Sequence, residues 1–169
     1  MAIISVKGKT PEVGKDSWVA DNATVTGDVV MGENCSIWFQ TVIRGDCNRI
    51  IIGDNVNIQD LSMVHGTTGM QDTVIGNNVS IGHRAIIHGC TIHDNVLIGM
   101  GAIVLDNVVV ESNVIVAAGA VVTGGARLES GFMYAGVPAK KIKPLDDTHK
   151  MIYVKGTAAA YTEYKKLYQ

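Results

Sequence analysis

The sequence predicts an all-β solenoid, because one aliphatic position recurs every six residues through most of the chain. The recurrence runs from Val19 to Ile43 and again from Ile92 to Val122, and it continues between them with two insertions and one deletion. Valine and isoleucine dominate the apolar residues while aromatics make up only 5%, which favours strands over a helical bundle. Each repeat of this kind buries its aliphatic residue by stacking on its neighbours.

We expect one domain of 169 residues with three consecutive parts. Residues 1–18 are expected to form a lead-in strand and turn. Residues 19–127 are predicted to form the solenoid, whose many corners suit the 19 dispersed glycines. Residues 128–169 are expected to form a connecting segment and a C-terminal α-helix.

Two excursions interrupt the six-residue period, at residues 47–51 and 66–73. Insertions leave a solenoid as loops on one side, which is often the functional side. In the last segment Asp146 or Asp147 could cap a helix that runs to about Tyr168. This helix is expected to pack along one face of the solenoid.

Composition excludes several classes of protein. The net charge of -2 argues against a nucleic-acid binder, which would need a concentrated basic face. No run approaches the ~18 apolar residues of a membrane span, so we expect no membrane association. An odd count of three cysteines makes a disulfide framework improbable. We therefore expect buried, reduced thiols at Cys35, Cys47 and Cys90 and a cytoplasmic location.

Three of the five histidines occupy informative positions in the repeat. His65 follows the aliphatic Val64 and His88 follows Ile87, so both take the same outward place, three repeats apart once the 66–73 loop is set aside. His83 lies two places after Ile81 and therefore belongs to the preceding repeat. Read singly, each could be an ordinary surface histidine, but the shared phase of the first two favours a common site.

The repeat resembles the left-handed parallel β-helix of hexapeptide-repeat proteins, in which three repeats make one triangular coil. Within that superfamily the chain resembles the γ-class carbonic anhydrases over nearly its whole length. The segments that carry the resemblance are IRGDCNRIIIGDNVNIQDLSMVHG, IGHRAIIHGCTIHDNVLIGMGAIV and YAGVPAKKI. The resemblance implies trimers in which each metal is bound by two histidines of one subunit and one of the next.

With three repeats per coil, His65 and His88 would stack on one face in adjacent coils, about 4.8 Å apart. His83 would lie on the preceding face, and it could join them only from a neighbouring subunit in a closed homotrimer. Three imidazoles with water in the fourth position make an open catalytic zinc site, and ferrous iron or cobalt could substitute. His93 and His149 are expected to play no part.

Other polar residues match family motifs. The Arg-x-Asp pattern is matched by Arg44 and Asp46, and the Asn-x-Gln-Asp pattern by Asn57, Gln59 and Asp60. Arg44 and Asp60 could form a charge pair across the subunit interface, where they would assist assembly or act as an ordinary surface ion pair.

The resemblance also implies polar groups that hold the substrate. It assigns Gln59 and Asn57 to substrate, bicarbonate or metal-bound water. It further suggests Tyr161 as a tyrosine over the metal, with Tyr153 and Tyr164 as rivals.

The chain departs from the best-characterised branch at two places. That branch has a glutamate directly after the Arg-x-Asp aspartate and another in an acidic loop, whereas this chain has Cys47 and the short loop GTTGMQDT. The substitutions put the proton path in doubt more than the metal.

The predicted function is reversible hydration of carbon dioxide to bicarbonate, by hydroxide on a metal that lowers the pKa of its bound water to about 7. Two alternatives stay open. One is an acyltransferase that uses coenzyme A, because the superfamily contains many such enzymes and YAGVPAKKI resembles their segment. The other is a metal-binding scaffold with little catalysis, since one fold can host several functions.

Overall fold

A computed structural model describes residues 2–169 and has three faces of strands wound into a solenoid, all parallel except the last strand. The hexapeptide period indicates that the coil is left-handed. Two long strands, β4 (Thr24–Met31) and β6 (Val42–Ile52), each continue across a corner from the first face to the second. They therefore join these two faces into one twelve-stranded sheet.

The remaining strands divide among the faces. On the first face lie β1 (Ala2–Ile4), β8 (Met63–His65), β11 (Ile86–His88), β14 (Ile103–Val104) and β17 (Val121–Val122). On the second lie β2 (Glu12–Val13), β9 (Thr73–Ile75), β12 (Thr91–Ile92), β15 (Val109–Val110) and β18 (Arg127–Leu128). On the third lie β3 (Trp18–Val19), β5 (Ser36–Ile37), β7 (Asn57–Ile58), β10 (Ser80–Ile81), β13 (Val96–Ile98), β16 (Val114–Val116), β19 (Phe132–Ala135) and β20 (Lys140–Pro144).

The aliphatic residues of the repeat form the core, as the period predicts. On the first face Ile43 pairs in parallel register with Val64, which pairs with Ile87 and then Val104. All four are 0% exposed. Burying a side chain of this size is worth roughly 1.5–3 kcal/mol, so the stacked columns hold adjacent coils in register. That register fixes which polar side chains meet on the outer surface.

Asparagines turn the corner between the second and third faces. Asn34, Asn55 and Asn78 have φ values of 59°, 56° and 54°, a left-handed conformation that asparagine tolerates better than most residues. Their amides also bond from coil to coil, Asn34 Nδ2 to Asn55 Oδ1 at 2.7 Å and Asn55 Nδ2 to Asn78 Oδ1 at 3.2 Å. The corner therefore has side-chain as well as backbone hydrogen bonds.

Coil stacking extends beyond both ends of residues 19–127. At the start β1 already pairs with β4, Ile3 opposite Val25. At the end β19 pairs in parallel with β16, Val116 opposite Tyr134, although we expected the chain to leave the solenoid there. Tyr134 is 5% exposed and takes the buried place that valine or isoleucine fills in earlier coils.

The C-terminal helix (residues 149–168) packs on the third face, and an acidic residue starts it as expected. Asp146 Oδ1 accepts the backbone N–H of His149 at 2.8 Å. The helix is not uniformly α-helical: it has π turns over His149–Gly156, an α-helix (α1) over Thr157–Tyr164 and a 3-10 turn over Lys165–Tyr168. Within residues 2–169, no helix combines the length and apolar character needed to cross a membrane.

Two sets of contacts fix this helix. Near its start Val154 is buried against Ile115 and Leu145. Near its end Lys165 is 2% exposed, and its Nζ donates at 2.5 Å both to the carbonyl oxygen of Asp16 and to Asn34 Oδ1. The helix is thus held at both ends, and its middle packs on the third face, where α1 contacts β7.

Candidate metal centre

His65 and His88 lie side by side on adjacent coils of the first face. They are register partners in the parallel pairing of β8 with β11, as their shared phase in the sequence predicts. Nδ1 of His65 lies 3.3 Å from Nε2 of His88, and the ring centroids are 5.2 Å apart. The two imidazoles are therefore close enough to bind one metal ion together.

A carboxylate contacts the opposite nitrogen of each ring. Oδ1 of Asp46 lies 3.0 Å from Nε2 of His65, and Oδ2 of Asp106 lies 3.0 Å from Nδ1 of His88. An ionised carboxylate only accepts hydrogen bonds, so these contacts favour the tautomers with ring protons on Nε2 of His65 and Nδ1 of His88. The nitrogens that face each other across 3.3 Å then both carry lone pairs.

Arg44 supports this arrangement from the coil below. Its Nη1 donates to Asp46 Oδ2 at 2.5 Å, and its Nη2 lies 3.5 Å from Nδ1 of His65. Burial raises the pKa of Asp46, but hydrogen bonds from Arg44 and His65 outweigh it and hold that pKa below its ordinary value. Asp46 is therefore a carboxylate at neutral pH and is suited to orient His65.

His83 lies apart from the other two histidines, at the turn after the third face. Its Nδ1 is 2.8 Å from Oδ2 of Asp60, and its Nε2 is 3.4 Å from the hydroxyl of Tyr161. In this chain Asp60 thus contacts His83, whereas Arg44 contacts Asp46. The pairing of Arg44 with Asp60 across a subunit interface stays a prediction.

Gln59 and Asn57 form a buried hydrogen-bonded chain below His83. Gln59 Nε2 donates to Asn57 Oδ1 at 3.0 Å, and Asn57 Nδ2 donates to Ser80 Oγ at 2.8 Å. Gln59 is 4% and Asn57 is 1% exposed. Because the amide nitrogen of Gln59 is engaged by Asn57, the side chain has one fixed orientation.

A cavity of about 500 Å³ lies between the third face and the C-terminal helix. Gln59, His83 and Tyr161 line one part of it, and apolar residues that include Leu97 and Ile115 line another. A small polar group could thus be held beside His83, next to an apolar part of the cavity wall.

Tyr161 is the tyrosine of the C-terminal helix that contacts His83. Tyr153 also lines the cavity but is 52% exposed, and Tyr164 is 50% exposed and packs edge-on against Tyr161. Burial, followed by the charge of Asp60, raises the pKa of Tyr161 to about 12. Its hydroxyl therefore keeps its proton at neutral pH and can donate a hydrogen bond.

The cysteines differ in burial. Cys35 and Cys90 are fully buried free thiols, and burial raises the pKa of both, that of Cys90 to about 12. Cys47 is only half-buried, so the expectation that all three are buried is wrong for this residue. It lies in the part of β6 that crosses the corner, where the side chain is not directed into the core.

Cys47 also belongs to a group that could hold a metal ion within this chain. One potential ligand atom each from Asp46, Cys47 and His65 lies within 4.8 Å of the others. The guanidinium of Arg44 contacts Asp46 of this group and also lies 3.5 Å from Nδ1 of His65, so its positive charge is close to both possible positions of a cation. The two remaining histidines lie elsewhere, exposed His93 after β12 and His149 beside Asp146.

Sequence reasoning did not identify Asp106. The signal was present, because Leu105 takes the place in the next coil that His65 and His88 take in theirs, and Asp106 follows it. The contact was missed because it joins two coils and matches no short motif.

Comparison with known families agrees with this architecture. The family described as "Bacterial transferase hexapeptide (six repeats)" matches residues 10–45, 72–102 and 89–124. A crystal structure of a hexapeptide transferase family protein from Anaplasma phagocytophilum superposes with a TM-score of 0.94 at 39% identity, covering 99% of this chain and 98% of that one. An N-acyltransferase from Bacillus cereus has a TM-score of 0.68 at 20% identity, which shows a similar fold only.

Several relatives have names that refer to carbonic anhydrase. "Carbonic anhydrase" from Geobacillus kaustophilus is 40% identical over 169 residues, which cover 99% of this chain and 92% of the relative. "Gamma carbonic anhydrase 2, mitochondrial" from Arabidopsis thaliana is 42% identical over 164 residues, 94% of this chain. The match spans 59% of that plant protein's length.

Proposed function

The chain belongs to the hexapeptide-repeat family and, within it, to the γ-carbonic anhydrase group, and from this premise we propose that it catalyses reversible hydration of carbon dioxide to bicarbonate. The observation that carries the proposal is the pair of imidazole nitrogens, Nδ1 of His65 and Nε2 of His88, which face each other at 3.3 Å. Two lone pairs at this distance repel each other unless a cation or a proton lies between them. The site is therefore suited to a metal ion.

The spacing fits zinc. Two nitrogen ligands at about 2.0–2.1 Å from one tetrahedral zinc ion lie about 3.3–3.4 Å apart, and the two nitrogens here are 3.3 Å apart. Ferrous iron or cobalt would be accepted by the same imidazoles.

We propose His83 as the third ligand, supplied by a neighbouring subunit of a homotrimer. Within one chain His83 lies on another face, where Asp60 engages its Nδ1, and its Nε2, which lies 3.4 Å from the Tyr161 hydroxyl, would accept the metal. A closed threefold ring would repeat one interface three times and so create three equal sites. In this arrangement Arg44, Asp46 and Asp60 orient the histidines at the interface.

When bound, the metal would supply Lewis acidity that makes water nucleophilic at neutral pH. The residues of the chain would bind and orient the substrate. Gln59, held by Asn57, would orient the oxygen atoms of bicarbonate. Tyr161 would donate a hydrogen bond, and the apolar cavity wall would admit carbon dioxide.

Proton removal would depend on buffer or on water near Tyr161, because the loop 66–73 lacks glutamate. We keep the proposal of a cytoplasmic location, since the free thiols at Cys35, Cys47 and Cys90 suit a reducing compartment.

The test is metal analysis followed by an activity assay on one sample. Protein purified without oxygen should contain about one metal ion per subunit and should accelerate carbon dioxide hydration in a stopped-flow assay. His88→Ala should lose metal and activity and should remain trimeric, because the ligand is outside the stacked core.

The alternatives give different results. Metal without hydration activity would favour a scaffold. Metal-free protein that transfers an acyl group from coenzyme A would favour an acyltransferase and contradict the proposal.

A further inference from the structure

We propose that Asp106 is a positioning residue that fixes the tautomer and ring orientation of His88, and that it thereby sets the affinity of the metal site. The inference concerns a residue outside the Arg-x-Asp and Asn-x-Gln-Asp motifs, and its metal-binding consequence rests on the proposed function. Its structural part concerns only Asp106 and His88 and can be measured without metal.

The contact is close and involves both carboxylate oxygens. Oδ1 and Oδ2 of Asp106 lie 3.1 Å and 3.0 Å from Nδ1 of His88. The side chains of the two residues are about one quarter exposed, 25% and 26%, so solvent competes only partly for the bond. Because a carboxylate accepts and does not donate, the proton is held on Nδ1 and Nε2 stays free to bind a metal.

Gly89 makes room for this approach. A Cβ atom at Gly89 would lie 2.0 Å from Oδ1 of Asp106, and the φ of Gly89 is +53°. Any other residue here would push the carboxylate away from His88 and would adopt an unfavourable backbone conformation. The glycine directly after His88 is explained by the carboxylate that lies against it.

Backbone bonds hold Gly89 between its neighbours. Its N–H donates to the carbonyl oxygen of His65 at 3.0 Å, and its own carbonyl oxygen accepts the N–H of Asn107 at 2.7 Å. Asn107 directly follows Asp106, so the coil that supplies the carboxylate is tied to the coil that supplies His88. The position of Asp106 is therefore set by the fold as well as by its side-chain contact.

The pair completes a pattern in which each candidate ligand has its own carboxylate. His65 has Asp46 and His83 has Asp60, and both of these carboxylates lie in motifs noted in the sequence. Asp106 serves His88 from the following coil. Removing such an outer partner typically lowers metal affinity 10- to 100-fold.

The test compares Asp106→Asn with Asp94→Asn. An amide can donate to Nδ1 as well as accept from it, so Asp106→Asn should let His88 adopt either tautomer. Asp94 is a matched control, because its Oδ1 accepts the backbone N–H of Asn77 at 2.7 Å and bonds to the neighbouring coil away from the histidine pair. Asp106→Glu, which keeps the negative charge, should lower metal affinity less than Asp106→Asn does.

Two measurements are made on each protein. Nitrogen NMR of metal-free protein at about pH 8, above the ordinary histidine pKa of about 6.5, should show the proton of His88 on Nδ1 in the wild type and a mixture of tautomers in Asp106→Asn. Titration with Co²⁺ should show a 10- to 100-fold higher Kd for Asp106→Asn and an unchanged Kd for Asp94→Asn.

The results separate the two proposals. A proton on Nε2 of His88 in the wild type, or the same tautomer in Asp106→Asn and wild type, would overturn the role of Asp106. A wild-type protein that binds no Co²⁺ but has His88 protonated on Nδ1 would remove the proposed function and leave the structural role of Asp106 supported. If Asp106→Asn does not fold, the tautomer of His88 in the wild type still tests the proposal, because a proton on Nε2 would contradict it.

Discussion

Asn57→Ala should weaken both the fold and the reaction, because Asn57 fixes the amide of Gln59. Asn57 is 1% exposed, accepts from Gln59 Nε2 at 3.0 Å and donates to Ser80 Oγ at 2.8 Å. A buried hydrogen bond contributes about 0.5–1.5 kcal/mol, and a buried group left without a partner costs about 1–3 kcal/mol. The loss of two hydrogen bonds, with the Gln59 amide left unpaired, predicts a decrease of about 2–6 kcal/mol in the free energy of unfolding.

Two assays measure these effects. Urea unfolding of wild type and variant at equal subunit concentration gives the stability change, since the stability of an oligomer depends on concentration. Stopped-flow hydration by metal-loaded protein gives the rate, and we expect kcat to fall about tenfold because Gln59 is no longer held in place. Bound metal should be unchanged, because Asn57 contacts none of the three histidines.

Thr41→Val is the control for a general loss of stability. Thr41 Oγ1 donates to the backbone carbonyl oxygen of Gln59 at 2.9 Å and leaves the side-chain amide alone. This variant should lose about 1 kcal/mol and keep its kcat. The reasoning is refuted if Asn57→Ala keeps both stability and rate, or if Thr41→Val lowers kcat equally.

Three further predictions concern titratable groups. Iodoacetamide should alkylate Cys47 in folded protein and spare Cys35 and Cys90, whose pKa values are raised by burial; mass spectrometry of labelled peptides would contradict this if all three react. Tyr161→Phe should lower the hydration rate by the same factor from about pH 6 to pH 9, because a pKa of about 12 keeps the phenol protonated; a ratio that changes with pH would show that it titrates. The pKa of Asp46 is lowered in the folded state, so the ionised carboxylate contributes to stability above its ordinary pKa of about 3.9, and this contribution is lost as the pH falls through the lower folded value. In metal-free protein, Asp46→Asn should therefore make the free energy of unfolding less dependent on pH in acid. If the free energy of unfolding depends on pH equally in wild type and variant, the contacts of Asp46 with Arg44 and His65 do not stabilise the fold.

The coil and the pairing of His65 with His88 could be predicted because the fixed spacing of six residues was combined with the three repeats per coil that the family resemblance implies. A period of six with three repeats per coil assigns every residue to a face, and the register of Val64 with Ile87 then brings the histidines together. The same six-residue spacing predicts the last coil, since Leu128 and Tyr134 continue the period after Val122. It was missed because an aromatic residue replaces the aliphatic one at Tyr134.

Features that depend on contacts between distant segments could not be predicted in this way. The choice of Tyr161 over its rivals depends on the path of the helix, which the anchoring of Lys165 at Asn34 helps to fix. The exposure of Cys47 depends on how β6 crosses a corner. No local sequence pattern carries this information.

Subunit mixing tests the proposal of a metal site shared between subunits most directly. Trimers of His65→Ala and of His83→Ala should each lack metal and activity. Unfolding them together and reassembling them should restore about one quarter of the sites, because one variant supplies an intact His65 and His88 pair and the other an intact His83. A mixture of His65→Ala with His88→Ala should restore none; restored metal binding in that mixture, or none in the first, would contradict the account.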